Sequence, residues 1–287
     1  MYQLENERIR LECTPKGGEM LHLIDKKDND QEIIYQGDEG WSGSNPSLFP
    51  IIGSTYKKTY EIDGKEYSMK NHGLIRYATL EGHQGDDFIS FTYRSDEETK
   101  KQYPFDFAYE ITYRLNGSEV QIDYTIENTG DEDMPFSFGL HPAFRVPQHE
   151  GEQFEEFSIR FEKEEDASQI VFSDDVTIPA QVKKVHLDCW KLNRDEIDQY
   201  ATIVYKDFTS SSVTLEHNGK PRIEMKFPGF PFLALWSHPS KSNFICIEPW
   251  YGHADFDNTC DNFYAREGTL ILQPHEIFRT GYSICLL

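Results

Sequence analysis

The chain has 287 residues, and its 28 Lys and Arg against 50 Asp and Glu give a formal charge of −22, which repels phosphate backbones and anionic lipid; nucleic acid and membrane surfaces are excluded as expected partners. Five cysteines, odd in number and without a Cys-x-x-Cys pair, indicate neither a disulfide framework nor a zinc knuckle and suit a reducing compartment. With Pro and Gly dispersed, an N-terminus lacking an apolar signal segment, and no apolar window near the length of a membrane span, one soluble, cytoplasmic domain over residues 1–287 is expected.

Taken in order, the chain alternates apolar and polar residues with a period of two. Ile9, Leu11 and Cys13 predict a first strand with one buried face. Asp63-Gly64, between Tyr60/Ile62 and Tyr67/Met69, predicts a hairpin. Ile89, Phe91 and Tyr93 form another strand. The runs Tyr109 to Leu115 and Val120 to Ile126 flank Asn116-Gly117, a strong hairpin signal because the turn needs positive φ.

The stretch Met134 to Phe144 is apolar and strand-like, with His141 set inside it. Phe157, Ile159 and Phe161 predict a strand, and the acidic run from Glu150 to Asp166 reads as a solvated edge. Leu187 to Tyr200 is the one candidate for a helix of useful length. Val213 to Leu215 and Ile223/Met225/Phe227 are strands joined through His217-Asn218-Gly219-Lys220. The runs Phe232 to Leu235, Phe244 to Ile247, Leu270 to Leu272 and Tyr282 to Leu286 read as strands buried on both faces. Many strands, tight turns and no βα alternation predict an all-β antiparallel sandwich.

No Gly-x-Ser-x-Gly elbow, P-loop, Gly-x-Gly-x-x-Gly fingerprint or His-Glu-x-x-His pair is present, so serine hydrolysis and nucleotide cofactors lose support. His253 and Asp255 are too sparse to predict a metal. Four polar groups stand in settings that call for explanation. His72 precedes Gly73, which permits an unusual backbone angle, and Arg76 follows in a turn-like context. Their plain reading is a locally bonded turn. His141 lies among Phe136, Phe138 and Phe144, where burial lowers its pKa and a neighbouring carboxylate raises it; its plain reading is a core histidine bonded to a carbonyl. Glu248 ends the apolar run Phe244 to Ile247, where an unpartnered charge costs several kcal/mol. Trp236, and Trp250 beside Tyr251, offer flat faces that suit the C–H face of a pyranose or, equally, an ordinary core.

Ser47-Leu48-Phe49-Pro50-Ile51-Ile52-Gly53, Asn71-His72-Gly73-Leu74-Ile75-Arg76, Gly139-Leu140-His141-Pro142-Ala143-Phe144, Ile247-Glu248-Pro249-Trp250 and Leu272-Gln273-Pro274-His275-Glu276 together resemble the aldose 1-epimerase (mutarotase) family, and within it the LacX-like branch. The resemblance spans nearly the whole chain. It implies a single-domain, galactose mutarotase-like β-supersandwich that needs no cofactor. It further implies that His141 is the general acid toward a sugar ring oxygen, that Glu248 is the general base toward the anomeric hydroxyl, and that His72 and Arg76 hold the sugar. In one departure, Ser54 stands near the place of a substrate-binding arginine of the family, with Arg76 or Lys57 as substitutes, and the family's sugar-binding aspartate has no clear counterpart.

The expected activity is interconversion of the α and β anomers of a hexose or related sugar. Two alternatives stay open: a catalytically silent sugar sensor on the same scaffold, and a glycoside-processing enzyme, although the latter usually needs two positioned carboxylates. The expected partner is a monosaccharide, free or phosphorylated. A phosphate would call for cations such as Arg76, Lys57, Lys58, Lys70 and Arg145. Oligomeric state is not legible in the sequence.

Overall fold

The computed structural model describes residues 1–171, 181–200, 202–239, 242–255 and 262–287. Among these, strands dominate and are joined in one long antiparallel sheet, with a smaller four-stranded sheet at the N-terminus and two isolated ribbons. Alternation does what it should locally: Ile9–Cys13 buries Ile9, Leu11 and Cys13 and leaves Arg10 and Glu12 partly exposed.

The turns set the registers. Asp63 and Gly64 both take positive φ between the paired residues Ile62 and Lys65, and Asn218 and Gly219 do the same between His217 and Lys220. The long hairpin Phe107–Asn116 with Glu119–Asn128 differs from expectation by one place. Asn116 pairs with Glu119, so the turn residues are Gly117 and Ser118, and of Asn116 and Gly117 only the glycine has positive φ.

The long sheet curls until its two ends face each other. Tyr124 belongs to the strand Glu119–Asn128 and Phe138 to Phe138–Leu140, near opposite ends of the strand order, yet their rings lie 5.0 Å apart. Buried tyrosines tie the layers at defined points. Tyr109 Oη bonds to Ser47 Oγ at 2.7 Å, Tyr113 donates to the Gly18 carbonyl at 2.7 Å, and Tyr282 donates to Asn45 Oδ1 at 3.1 Å.

Four expectations are corrected. The segment Leu187 to Tyr200 is divided: residues through Lys191 pair with the strand Phe157–Val171, and the helix begins only at Arg194, where Asn193 Oδ1 accepts the Glu196 N–H at 3.1 Å. The acidic run is solvated at Glu150, Glu155, Glu156, Glu162, Glu164 and Asp166, as expected, but its later part is not a sheet edge, because Phe157–Val171 is bonded by Gln181–Lys191 on one side and by Ile203–Lys206 and Ser212–His217 on the other. Glu165 in it is buried, accepting from Thr209 N and Oγ1 and, at 2.7 Å, from Ser210 Oγ. Leu270–Leu272 pairs only with Met134–Phe136 and leaves Ile271 exposed. Glu248 lies inside the strand Phe244–Tyr251 and not at its end.

Replacing Glu165 with Ala should lower the unfolding free energy by about 2 to 3 kcal/mol, since it orphans hydroxyl and amide donors in the 209–210 connection. Urea titration of the variant checks this; an unchanged midpoint would count against the carboxylate as the anchor of that connection.

Candidate active site

The strand Phe244–Tyr251 forms the floor of the site. It is flanked by Phe232–Trp236 on one side and, on the other, by two short strands, Phe138–Leu140 and Ala143–Arg145. Gly139 pairs with Trp250 and Ala143 with Cys246, so both short strands share one register and His141 falls opposite Glu248 in the gap between them. Pro142 and Pro249, which carry no N–H, interrupt the ladder there, while Ile247 N–H still reaches the Pro142 carbonyl at 3.2 Å. The alternation of the pleat places Cys246, Glu248 and Trp250 on one face. Their neighbours on that face include Gly139, Ala143 and Ala234, which are small and leave room above the carboxylate. At Gly139 a Cβ would sit 2.6 Å from Trp250 Cδ1, so the tryptophan needs the glycine.

His141 Nε2 lies 3.4 Å from Glu248 Oε2, with both side chains buried. Among the described residues, neither Glu248 Oε2 nor His141 Nδ1 has a hydrogen-bond partner. The imidazole is held by rings: it stacks on Trp41 (centroids 4.9 Å apart, 24° between planes) and meets Trp236 and His72 edge-on at 5.5 and 5.4 Å. The Trp250 indole N–H donates to the Leu140 carbonyl at 3.3 Å.

His72 sits in a left-handed backbone conformation, φ 65°, followed by Gly73 at φ 79°. The corner is pinned to the neighbouring segment: His72 N–H donates to Gly53 O at 2.8 Å and Leu74 N–H to Phe49 O at 2.7 Å. A Cβ on Gly73 would lie 2.2 Å from the Phe49 carbonyl oxygen, so no other residue fits. The Gly53 N–H in turn donates to His72 Nδ1 at 3.0 Å. That bond requires an unprotonated Nδ1, which leaves Nε2–H as the donor of a neutral imidazole.

These groups line a cavity of about 530 Å³, together with Trp41, Ser54, Asn71, Arg76, Trp236 and His238. That volume is in the usual range for small-molecule sites. Of the residues singled out in the sequence, His72, Arg76, His141, Trp236, Glu248 and Trp250 all meet here. Arg76 makes no ion pair with a described residue, so its guanidinium is available to a ligand; its own contact is with the Tyr77 ring. Ser54 is in the wall, with its hydroxyl on Asn71 Oδ1 at 3.3 Å, and no described aspartate lines the cavity.

Lys57, Lys58, Lys70 and Arg145 are not in the lining, which dissolves the proposed cationic cluster. Lys57 and Lys70 instead stand over Tyr56 and Tyr77, and Arg145 borders a different cavity. His253 and Asp255 diverge to separate partners, Glu267 and Arg266. Cys260 lies outside the described residues. Sequence reasoning missed Trp41, whose only local signal was a bulky aromatic inside the turn-rich run Gly40-Trp41-Ser42-Gly43.

Burial acts on the pair in opposite senses. It pushes Glu248 well above the ordinary carboxylate range, against the Trp250 indole and the Arg76 guanidinium, which favour its ionised form. It pulls His141 down to about 3, with Arg76 contributing in the same direction. Burial therefore works against the expectation that a neighbouring carboxylate keeps His141 charged: it favours the neutral form of both groups, with the carboxyl as the proton carrier.

The aldose 1-epimerase family model matches residues 1–279. The chromosomal protein LacX of Lactococcus lactis subsp. lactis is 30% identical over 263 residues, covering 87% of each chain. Among solved structures, a galactose mutarotase related enzyme from Lactobacillus acidophilus superposes with a TM-score of 0.89 at 27% identity, covering 100% of this chain and 97% of that one. A galactose mutarotase-like protein from Lactobacillus casei ATCC 334 gives 0.90 at 25% identity, covering 100% of both chains.

The proton count of the pair predicts a pH dependence of stability. Between the ordinary values of 4.5 for Glu and 6.5 for His, folded and unfolded pairs each hold one proton and the pair adds no slope. Above 6.5 the unfolded pair holds none while folded Glu248 keeps its proton, so stability falls as pH rises, by about 1.4 kcal/mol per pH unit, until the raised pKa is passed. Below 4.5 the unfolded pair holds two protons and the folded pair one, so stability falls again as pH drops toward the folded value of His141. Denaturation of the wild type and Glu248→Gln in parallel from pH 6.5 upward should show that only the wild type carries this slope. A difference between the two that does not change with pH would refute the neutral pair.

Proposed function

Because the chain belongs to the aldose 1-epimerase family, as a LacX-like member with a galactose mutarotase-like fold, we propose that it is an isomerase that interconverts the α and β anomers of an aldose. The observation that carries this reading is the contact of a buried carboxylate and a buried imidazole at the floor of an aromatic-walled cavity.

Anomer exchange removes a proton from O1, delivers one to the ring oxygen, breaks the C1–O5 bond, and repeats the steps in reverse after rotation about C1–C2 in the open aldehyde. One acid and one base with a single proton between them suffice. In the opening direction ionised Glu248 takes the O1 proton while protonated His141 gives its own to O5. The pair is then left as neutral acid and neutral imidazole, the forms that burial favours. Closure runs the other way: Glu248 returns a proton to O1 and His141 takes the one on O5. The net charge of the pair is zero throughout, so the two buried groups never carry an uncompensated charge between them. The ionised pair that opening needs differs from the neutral pair by the passage of one proton from Glu248 to His141, whose Nε2 lies 3.4 Å from Oε2. The rings around His141 fix the line of proton delivery, since its neighbours leave it little freedom to turn.

In this reading His72 Nε2–H and the Arg76 guanidinium donate to the sugar's oxygens, and Trp236 and Trp250 bound its apolar face. Arg76 takes the place of the arginine that the family carries near Ser54. One guanidinium in the wall suits a neutral hexose better than a phosphorylated one.

Proton NMR of freshly dissolved α-glucose, α-galactose and a hexose 6-phosphate tests the proposal. Equilibration of a free hexose should be accelerated over buffer. Glu248→Gln and His141→Asn should each slow it by about a hundredfold, the order expected for loss of a positioned acid or base. Sugars that bind without faster equilibration would instead make the protein a sensor.

A further inference from the structure

Cys246 takes no part in these proton transfers, yet it stands beside them. It precedes Glu248 by two residues on the same strand, so both side chains leave the same face of the sheet, and His141 lies opposite Glu248 on the neighbouring segment. One ligating atom from each of His141, Cys246 and Glu248 falls within 4.8 Å of the others, and all three residues are buried. We infer that these residues form a site for a thiophilic divalent cation such as Zn²⁺, and that its occupation blocks the acid and base. The blocking rests on the mutarotase reading above; the site itself does not.

Three features support it. First, the contact between His141 Nε2 and Glu248 Oε2 is 3.4 Å, and Glu248 Oε2 has no hydrogen-bond partner among the described residues. Two ligands at roughly 2.0 to 2.2 Å from a tetrahedral zinc are separated by about 3.3 to 3.5 Å, so this pair already has the spacing of a shared ion. Second, charge balances. Binding one divalent ion displaces the Cys246 thiol proton and the proton of the Glu248–His141 pair to solvent, and a thiolate, a carboxylate and a neutral imidazole around a 2+ ion leave the site with no net charge. The Arg76 guanidinium in the wall opposes a bare cation but not a neutral complex. Third, three protein ligands leave a fourth position open toward the cavity, where a water or a sugar hydroxyl can bind. The thiolate selects Zn²⁺ over Mg²⁺ and Ca²⁺, which prefer oxygen ligands.

Co²⁺ is the probe, because a thiolate ligand gives it a charge-transfer absorption in the near ultraviolet that oxygen and nitrogen ligands do not. One equivalent added to the full chain should raise that band, and Zn²⁺ should displace it. Cys246→Ser should abolish the band and weaken Zn²⁺ binding by at least about tenfold, the lower bound even for groups that merely support a ligand. Cys246→Ala, checked by circular dichroism, is the second variant if the serine protein fails to fold. In the anomer assay Zn²⁺ should inhibit the wild type and spare Cys246→Ser, whose metal-free rate should be unchanged. The absence of a band, or its persistence in both variants, overturns the site. A protein that binds Co²⁺ through Cys246 but exchanges no anomers in the absence of metal overturns the function and leaves the site standing.

Discussion

The contact between Glu248 and His141 is the constraint to which the rest of the site answers. A carboxylate in the middle of a buried strand, ionised and alone, costs several kcal/mol. The protein meets that cost by setting a second titratable group against it and keeping the pair at one proton. The walls beside it are largely aromatic, and the small residues Gly139, Ala143 and Ala234 add no charge, while the Trp250 indole and the Arg76 guanidinium act the other way and favour the ionised carboxylate.

The backbone makes the contact possible through an interrupted ladder. Two short strands, Phe138–Leu140 and Ala143–Arg145, keep a common register on Phe244–Tyr251, and prolines on both sides of the gap remove the hydrogen bonds that would otherwise run through it. His141 is thereby positioned by sheet geometry on both flanks while its own backbone is not part of the ladder. His72 is held by a different device, a left-handed corner clamped to the Phe49–Gly53 segment, and its tautomer is set by the Gly53 amide. Three imidazole and carboxylate groups thus converge from three segments, each locked by main-chain bonds and not by long side chains of its own.

The acidity of the chain and the chemistry of the cavity are separate matters. Much of the surface charge is held in local pairs or, at Glu165, turned inward to hold a connection in place. Among the described residues of the cavity lining the one carboxylate is Glu248, and the one guanidinium is Arg76. Both bear on the proton of the pair, Arg76 by its field and Glu248 by its burial.

Much of this was legible in the sequence because strand alternation, Asp-Gly and Asn-Gly turns and the motif order are local properties. They predicted an antiparallel all-β fold and named His72, Arg76, His141, Trp236, Glu248 and Trp250, which the fold does bring to one cavity. The segment Leu187 to Tyr200 was misjudged because its first part, Leu187 to Lys191, is strand only by virtue of a partner distant in sequence, and the acidic run because edge or interior is a property of neighbours. Trp41 went unseen for the same reason: a loop residue reveals nothing of the ring it will cover. The sequence by itself determined which side chains alternate, where the chain turns and which acid and base are available. Only the tertiary structure decided the register that sets His141 against Glu248, the burial that strips both of charge, and the placing of Cys246 beside them. The alternation of one strand puts Cys246 and Glu248 on a common face, but bringing His141 to them depends on pairing between segments about a hundred positions apart, which no local pattern encodes.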